Sequence, residues 1–122
     1  MNIRKGTGST VLLNIRGTEI KEGTGSKTLL NIRGNEIRLG TSSSVIMNIR
    51  GNQIRKGSGS SVIYNISGDQ VRVGMGSSTV LFNIRGTDIR KERGSTVVYN
   101  STGRLETGVL AAVLYALGEI KA

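Results

Sequence analysis

A four-residue motif, Asn-Ile-Arg-Gly, recurs along the chain and divides nearly all of it into copies of one short unit. Full copies occupy residues 14–17, 31–34, 48–51 and 83–86, and altered copies occupy residues 65–68 and 100–103. The asparagines are 17 residues apart, except for a spacing of 18 between Asn65 and Asn83. Units this short bury more apolar surface when they stack on one another than when each folds alone.

Each unit is predicted to contain two strands joined by a turn. The apolar residues before each asparagine, such as Val11-Leu12-Leu13, indicate a strand that is covered on both faces. The Asn-x-x-Gly step is typical of a type I turn followed by a glycine bulge, because Gly takes positive φ freely. A second run, such as Thr18-Glu19-Ile20-Lys21, predicts a half-exposed strand, and a Gly/Ser/Thr link ends the unit. Each unit is therefore predicted to be a β-hairpin followed by a link.

The two ends of the chain predict that the array closes into a ring. Residues 2–6 match the second strand of a unit, as found at residues 53–57, whereas residues 95–100 match a first strand. If these two half-units pair, no exposed sheet edge remains. The alternative is a β-solenoid, in which equivalent arginines would stack in an unfavourable ladder of like charges. The predicted fold class is thus mainly β, a flower- or propeller-like ring of hairpins over residues 1–106.

The remaining residues, 107–122, have a different character from the repeats. Alanine and leucine dominate between Val109 and Leu117, which predicts a helix with Thr107 as its N-cap. This helix is apolar nearly all round and requires cover, so we expect it to pack on the repeat domain or to join two protomers of a homo-oligomer. No stretch is long enough to span a membrane, and the N-terminus lacks the apolar run of a signal peptide. A cytoplasmic location is the default expectation.

The charge balance is the main functional signal in the sequence. The chain has 17 basic and 8 acidic residues, a formal net charge of +9, which favours anionic partners or simply solubility. We expect the cations to form a rim that binds nucleic acid or another acidic partner. Acidic neighbours at Glu19, Glu36 and Asp88 should neutralise part of this surface. The candidate residues are four turn arginines (Arg16, Arg33, Arg50 and Arg85) and the second-strand cations Lys21, Arg38, Arg55, Arg72 and Arg90.

Catalytic chemistry is not indicated by the residue types present. Histidine and cysteine are absent, which removes the commonest general base and the commonest metal ligands. The carboxylates fall in equivalent regions of different units, which is typical of surface residues. We expect no enzyme activity and no cofactor, and we expect a structural or interaction module. Two alternatives remain open: nucleic-acid or other polyanion binding, and multivalent binding of a glycan or small ligand at repeated sites.

Aromatic residues are scarce, and three of the four share one column of the repeat. Tyr64, Phe82 and Tyr99 lie just before an asparagine, where other units carry leucine or methionine. A column shared with leucine and methionine predicts core packing. Base-stacking aromatics, which most single-strand binders use, are therefore nearly missing.

The repeat pattern resembles two known groups of proteins. Residues 99–105 resemble one unit of the tyrosine–aspartate repeats of large secreted shells and toxins, but those units are longer and only this copy has the full form. The pattern over residues 1–106 is similar to small bacterial β-flower domains, in which hairpins surround a pseudo-symmetry axis like petals. This second resemblance implies a ring of hairpins. It implies no catalytic residues, because such domains mostly have no assigned function.

Overall fold

The computed structural model describes all residues, 1–122, and contains twelve strands and one helix. All neighbouring strands pair antiparallel, and the sheet closes into a barrel. The predicted mainly-β fold with one C-terminal helix is confirmed, and the solenoid alternative is wrong. The elements are β1 (Asn2–Lys5), β2 (Val11–Arg16), β3 (Glu19–Glu22), β4 (Thr28–Arg33), β5 (Glu36–Leu39), β6 (Val45–Arg50), β7 (Gln53–Lys56), β8 (Val62–Ser67), β9 (Gln70–Val73), β10 (Val80–Arg85), β11 (Asp88–Lys91), β12 (Val97–Ser101) and α1 (Thr107–Ala116).

The ring closes through the two ends of the chain, as the sequence predicts. Strand β1 inserts between β2 and β12, with Ile3 opposite Ser101 on one side and Leu13 on the other. The Asn2 N–H donates to Thr102 Oγ1 at 2.9 Å, and the Thr102 N–H donates to the Asn2 carbonyl at 3.0 Å. Strands β12 and β1 together form the sixth hairpin-like unit beside five continuous ones. The closed ring leaves no unpaired strand edge.

The turn inside each hairpin is shorter than the sequence predicts. Arg16 lies opposite Glu19, so the loop contains only Gly17 and Thr18, and Asn14 belongs to the strand opposite Lys21. Gly17 has a φ of 60°, which a residue with a side chain rarely adopts. A two-residue loop with glycine first matches the twist of the flanking strands better than the predicted type I turn does. The predicted Asn-x-x-Gly turn is therefore wrong, although the hairpin is present.

The repeated asparagine instead fastens the link that joins one unit to the next. The Asn14 Nδ2 donates to the carbonyls of Gly23 at 2.8 Å and Gly25 at 3.1 Å, which lie in the link after β3. Five further asparagines repeat this pair of hydrogen bonds: Asn31, Asn48, Asn65, Asn83 and Asn100. The last of them reaches the link near the N-terminus, across the ring closure. Side-chain amides thus satisfy link carbonyls that the strand ladder leaves unpaired.

A β-bulge between units turns consecutive apolar residues of the first strand toward the core of the barrel. Ile20 pairs with Leu30 and Lys21 pairs with Thr28, so Leu29 is left without a partner in the ladder. Leu29 packs against the core and Leu30 is part of it. The predicted strand with both faces covered is therefore wrong, because the bulge lets two consecutive apolar residues pack against one core. The predicted core column is confirmed by the buried Phe82 and by Tyr64 and Tyr99, which pack against the core.

Helix α1 lies inside the barrel. Its five consecutive residues from Leu110 to Leu114 are all buried and belong to the same core cluster as the strand residues. Since successive helical residues are about 100° apart, five of them cover every side of the helix. The N-cap is Glu106 rather than the predicted Thr107. Helix α1 does not have the length and apolar run that a membrane-crossing helix needs.

The helix ends earlier than the predicted limit of residue 122. Gly118 has a φ of 80°, its N–H donates to the Tyr115 carbonyl at 3.0 Å, and the Glu119 N–H donates to the Leu114 carbonyl at 2.9 Å. This pair of bonds is a Schellman motif, which stops the helix. The tail is then fixed at the link end of the barrel, where the Tyr99 hydroxyl donates to Glu119 at 3.1 Å. Burial, together with this carboxylate, raises the pKa of Tyr99 to about 12.

Candidate polyanion-binding surface

The predicted cations lie on the outer surface of the barrel. Successive strand residues face opposite sides of a sheet, so Lys21, which follows the buried Ile20, points outward. Arg16, which follows the buried Ile15, also points outward, and it lies beside the two-residue turn. We call this outward face of the sheet the outer wall. The turn arginines on it are exposed, and the second-strand cations are half-buried.

Each second-strand cation lies beside one of the link-fastening asparagines. Arg55 is directly opposite Asn48, and Arg72 is directly opposite Asn65. The same position in the sixth unit holds Arg4, opposite Asn100. Sequence reasoning missed Arg4 as a candidate, although the match of residues 2–6 to the second strand already placed it in the cation column.

In two units a glutamate neutralises the second-strand cation. The side chains of residues i and i+2 in a strand lie on the same face. Lys21 Nζ is 3.5 Å from Glu19 Oε1, and Arg38 Nη2 is 2.7 Å from Glu36 Oε1. We call β3 and β5 the glutamate-bearing strands. The third ion pair of the structure, at 3.9 Å, joins Glu22 at the end of β3 to Lys27 in the adjacent link.

In the next two units a glutamine occupies the place of the glutamate. Arg55 Nη2 donates to Gln53 Oε1 at 2.9 Å, and Arg72 Nη2 donates to Gln70 Oε1 at 2.6 Å. Glutamine is an uncharged acceptor, so it holds the guanidinium in place without neutralising it. We call β7 and β9 the glutamine-bearing strands. No carboxylate lies between Glu36 and Asp69 in the sequence, so the stretch that includes β7 is purely cationic, whereas β9 directly follows Asp69.

Several arginines of the outer wall have unused hydrogen-bond donors. The Nε atoms of Arg4, Arg55 and Arg90 are buried and have no hydrogen-bond partner. Arg90 makes no ion pair with Asp88, the acidic neighbour that we expected to neutralise it. An anionic oxygen that reached these donors would form charge-assisted hydrogen bonds, which are stronger than neutral ones.

The barrel does not bring all predicted cations onto one face. It distributes the units around a closed ring, so β6 and β12 lie on opposite sides. The turn arginines form an interrupted set, because Ser67 takes their place in the fourth unit. Arg38, Arg55 and Arg72 lie on every second strand, which spaces their backbones about 10 Å apart along the wall. No group of three or more metal-ligating side chains is arranged to hold a metal ion.

Comparison with known proteins agrees with this architecture. Searches against curated proteins and against solved structures found no significant match. The model of a family described as 6-fold beta flower protein matches residues 3–118, a range that includes all of α1. This match confirms the resemblance seen in the repeat pattern and extends it beyond the hairpins. The chain therefore belongs to the 6-fold beta flower protein family.

Proposed function

We propose that this chain is a non-catalytic interaction module that binds a flexible polyanion along the outer wall of the glutamine-bearing strands. One observation carries the proposal: Arg55 and Arg72 are held by Gln53 and Gln70, which leave their charges unneutralised. The corresponding cations of the glutamate-bearing strands are already paired. Arg4 and Arg90 form no ion pair either, but no side-chain acceptor orients them. The binding surface is therefore assigned to the sector in which the cation is both unneutralised and held in place by a glutamine.

The arginines of this sector are preorganised for binding and retain free hydrogen-bond donors. Each guanidinium is oriented by a hydrogen bond and half-buried, so it loses less conformational entropy on binding than a free side chain does. Its remaining donors fit the oxygens of phosphate or carboxylate groups. Exposed Arg50 beside the β6–β7 turn supplies a third cation in the same sector.

The shape of the wall and its composition limit the kind of partner. The outside of a closed barrel curves away from a rigid partner, whereas a flexible chain can follow it. Tyr64, Phe82 and Tyr99 pack against the core and are not arranged as a stacking platform on the wall. Recognition should therefore depend on charge and not on base sequence. Multivalent binding at equal sites is disfavoured, since the units differ in the charge of their outer faces.

The apolar helix is not exposed for the homo-oligomer that the sequence leaves open as the alternative to packing on the same domain. Residues Leu110 to Leu114 are buried inside the barrel of the same chain. The prediction of an oligomer stays a prediction, and its interface would have to use other residues.

The proposal is tested by fluorescence anisotropy with a labelled oligothymidine, and with poly-glutamate as a second polyanion, over a range of salt concentrations. We expect both to bind. For the oligothymidine, the logarithm of the binding constant should fall by about 2 per tenfold increase in salt, since three phosphate contacts contribute about 0.7 each. If neither polymer binds at low salt, the positive charge of the chain serves solubility alone.

A further inference from the structure

We infer that the barrel has a second and separate binding site, a cavity at its turn end that accepts a short apolar zwitterion of about dipeptide size. The cavity has a volume of about 810 Å³ and lies between the β8–β9 turn, the β10–β11 turn and the start of α1. This volume is in the range of small-molecule sites, which combine an apolar lining with a few polar groups.

The cavity exists because the helix is not centred in the ring. The backbone of α1 lies closest to β3 and β4. In a ring of twelve strands, β10 is diametrically opposite β4. The helix therefore leaves space on the β8–β10 side, where Ile66, Ile84 and Leu110 provide an apolar floor.

Three charged side chains surround this floor without forming ion pairs. Arg104 and Glu106 come from the connection between β12 and α1, and Asp69 comes from the β8–β9 turn. The three ion pairs of the structure all involve other residues, and the Glu106 side chain does not cap the helix. A guanidinium and two carboxylates around an apolar floor complement a molecule that has a carboxylate, an ammonium group and an apolar body.

The repeat departs from its own pattern at this cavity. The second residue of the hairpin loop is neutral in four units, as Thr18, Asn35, Asn52 and Thr87, and is acidic only as Asp69. A smaller cavity of about 240 Å³ on the other side of α1 is lined by Asn35 in the same loop position. An acidic loop residue is thus found only at the larger cavity, whereas Glu106 lines both cavities. The start of α1 at the same cavity adds positive helix-dipole potential, which favours the carboxylate of the ligand.

The inference is tested by isothermal titration calorimetry of the full chain with the dipeptide Leu-Leu. N-acetyl-Leu-Leu lacks the ammonium group, and Leu-Leu amide lacks the carboxylate. We expect the free dipeptide to bind, and each blocked form to bind at least about tenfold more weakly, because each loses the hydrogen bonds of one charged group. Equal affinities for all three ligands, or no binding of Leu-Leu at millimolar concentration, would overturn the inference.

Variants of the exposed charged residues locate the site. Arg104→Gln and Asp69→Asn should each weaken Leu-Leu binding about tenfold, for the same reason as blocking the ligand. Asn35→Asp, at the smaller cavity, is the matched control and should leave the affinity unchanged. Wild-type affinity in both test variants, or an equal loss in the control, would contradict the assignment. Circular dichroism of each variant checks that the barrel is intact.

Discussion

The glutamate-bearing and glutamine-bearing strands have the same backbone conformation. They differ in the side chain two residues before the cation, which is a carboxylate in the first pair of strands and an amide in the second. Lys21 and Arg38 face a carboxylate two residues away, whereas Arg55 and Arg72 face an amide at the same position. Both partners fix the cation, but only the carboxylate cancels its charge. A ring built from nearly identical units therefore acquires a neutralised sector and a cationic sector without any change of fold.

Giving the glutamine-bearing strands a carboxylate should have the largest effect on binding. The double variant Gln53→Glu/Gln70→Glu would pair Arg55 and Arg72 as the glutamate-bearing strands pair their cations. We expect the affinity for oligothymidine to fall about 25-fold at about 0.1 M salt. The variant loses two phosphate contacts, and each contact contributes the release of about 0.7 counterion to the binding free energy. Anisotropy titrations at several salt concentrations measure both the affinity and its salt slope.

A control for this variant changes the net charge equally at a different place. Thr24→Glu/Thr41→Glu adds two carboxylates at exposed positions in the links that follow the glutamate-bearing strands, and not on the strands that carry Arg55 and Arg72. We expect a smaller loss of affinity that fades quickly with salt, because the added carboxylates repel the polyanion only at long range and salt screens that repulsion. An equal loss in both double variants would show that total charge matters and that the cationic sector has no special role.

The reciprocal change should extend the cationic sector. Glu19→Gln/Glu36→Gln removes the carboxylates that pair with Lys21 and Arg38. We expect the affinity to rise about fivefold, which corresponds to one additional phosphate contact. The gain is smaller than the loss above, because lysine is a flexible point charge that is less well organised than an arginine fork. The same titration measures it, and an unchanged affinity would contradict the comparison.

The smallest expected effect is on stability. The Arg38–Glu36 pair is 2.7 Å long, but its side chains remain 23% and 32% exposed. Glu36→Gln should therefore lower the free energy of unfolding by only about 0.5 kcal/mol, and Gln53→Glu should raise it by a similar amount. Urea unfolding followed by circular dichroism measures both changes. If the free energy of unfolding of Glu36→Gln falls by more than about 2 kcal/mol, the pair stabilises the fold as a buried ion pair does and is not merely a surface pair that neutralises charge.

The sequence predicts the hairpin units, the ring closure and the positions of the cations, because all three depend on a periodic pattern. The position of the turn is predicted wrongly from the sequence. The Asn14 side chain bonds carbonyls nine and eleven residues further along the chain, and not the backbone of the adjacent turn. Asp88 was expected to neutralise part of the basic surface, but its neighbour Arg90 forms no ion pair. The pairing of Glu36 with Arg38 is readable in advance from their i, i+2 spacing.

The features around the helix could not be predicted from the repeat. The composition of residues 107–122 predicts an apolar helix that requires cover, but it does not specify the barrel interior as that cover. The off-centre position of α1, and with it the cavity near Asp69, depends on how one helix packs inside a wider ring. Packing of this kind is a property of the assembled core, which no single unit encodes.

The most direct test of the account is to observe the arginine side chains themselves. Two-dimensional ¹H–¹⁵N spectra of the Nε–H groups can be recorded as unlabelled oligothymidine is added to ¹⁵N-labelled protein. The account predicts that the signals of Arg55 and Arg72 shift first and furthest, while that of Arg38 stays nearly unchanged because Glu36 already pairs with it. Equal shifts of all three signals, or the largest shift at Arg38, would contradict the division of the ring into a neutralised and a cationic sector.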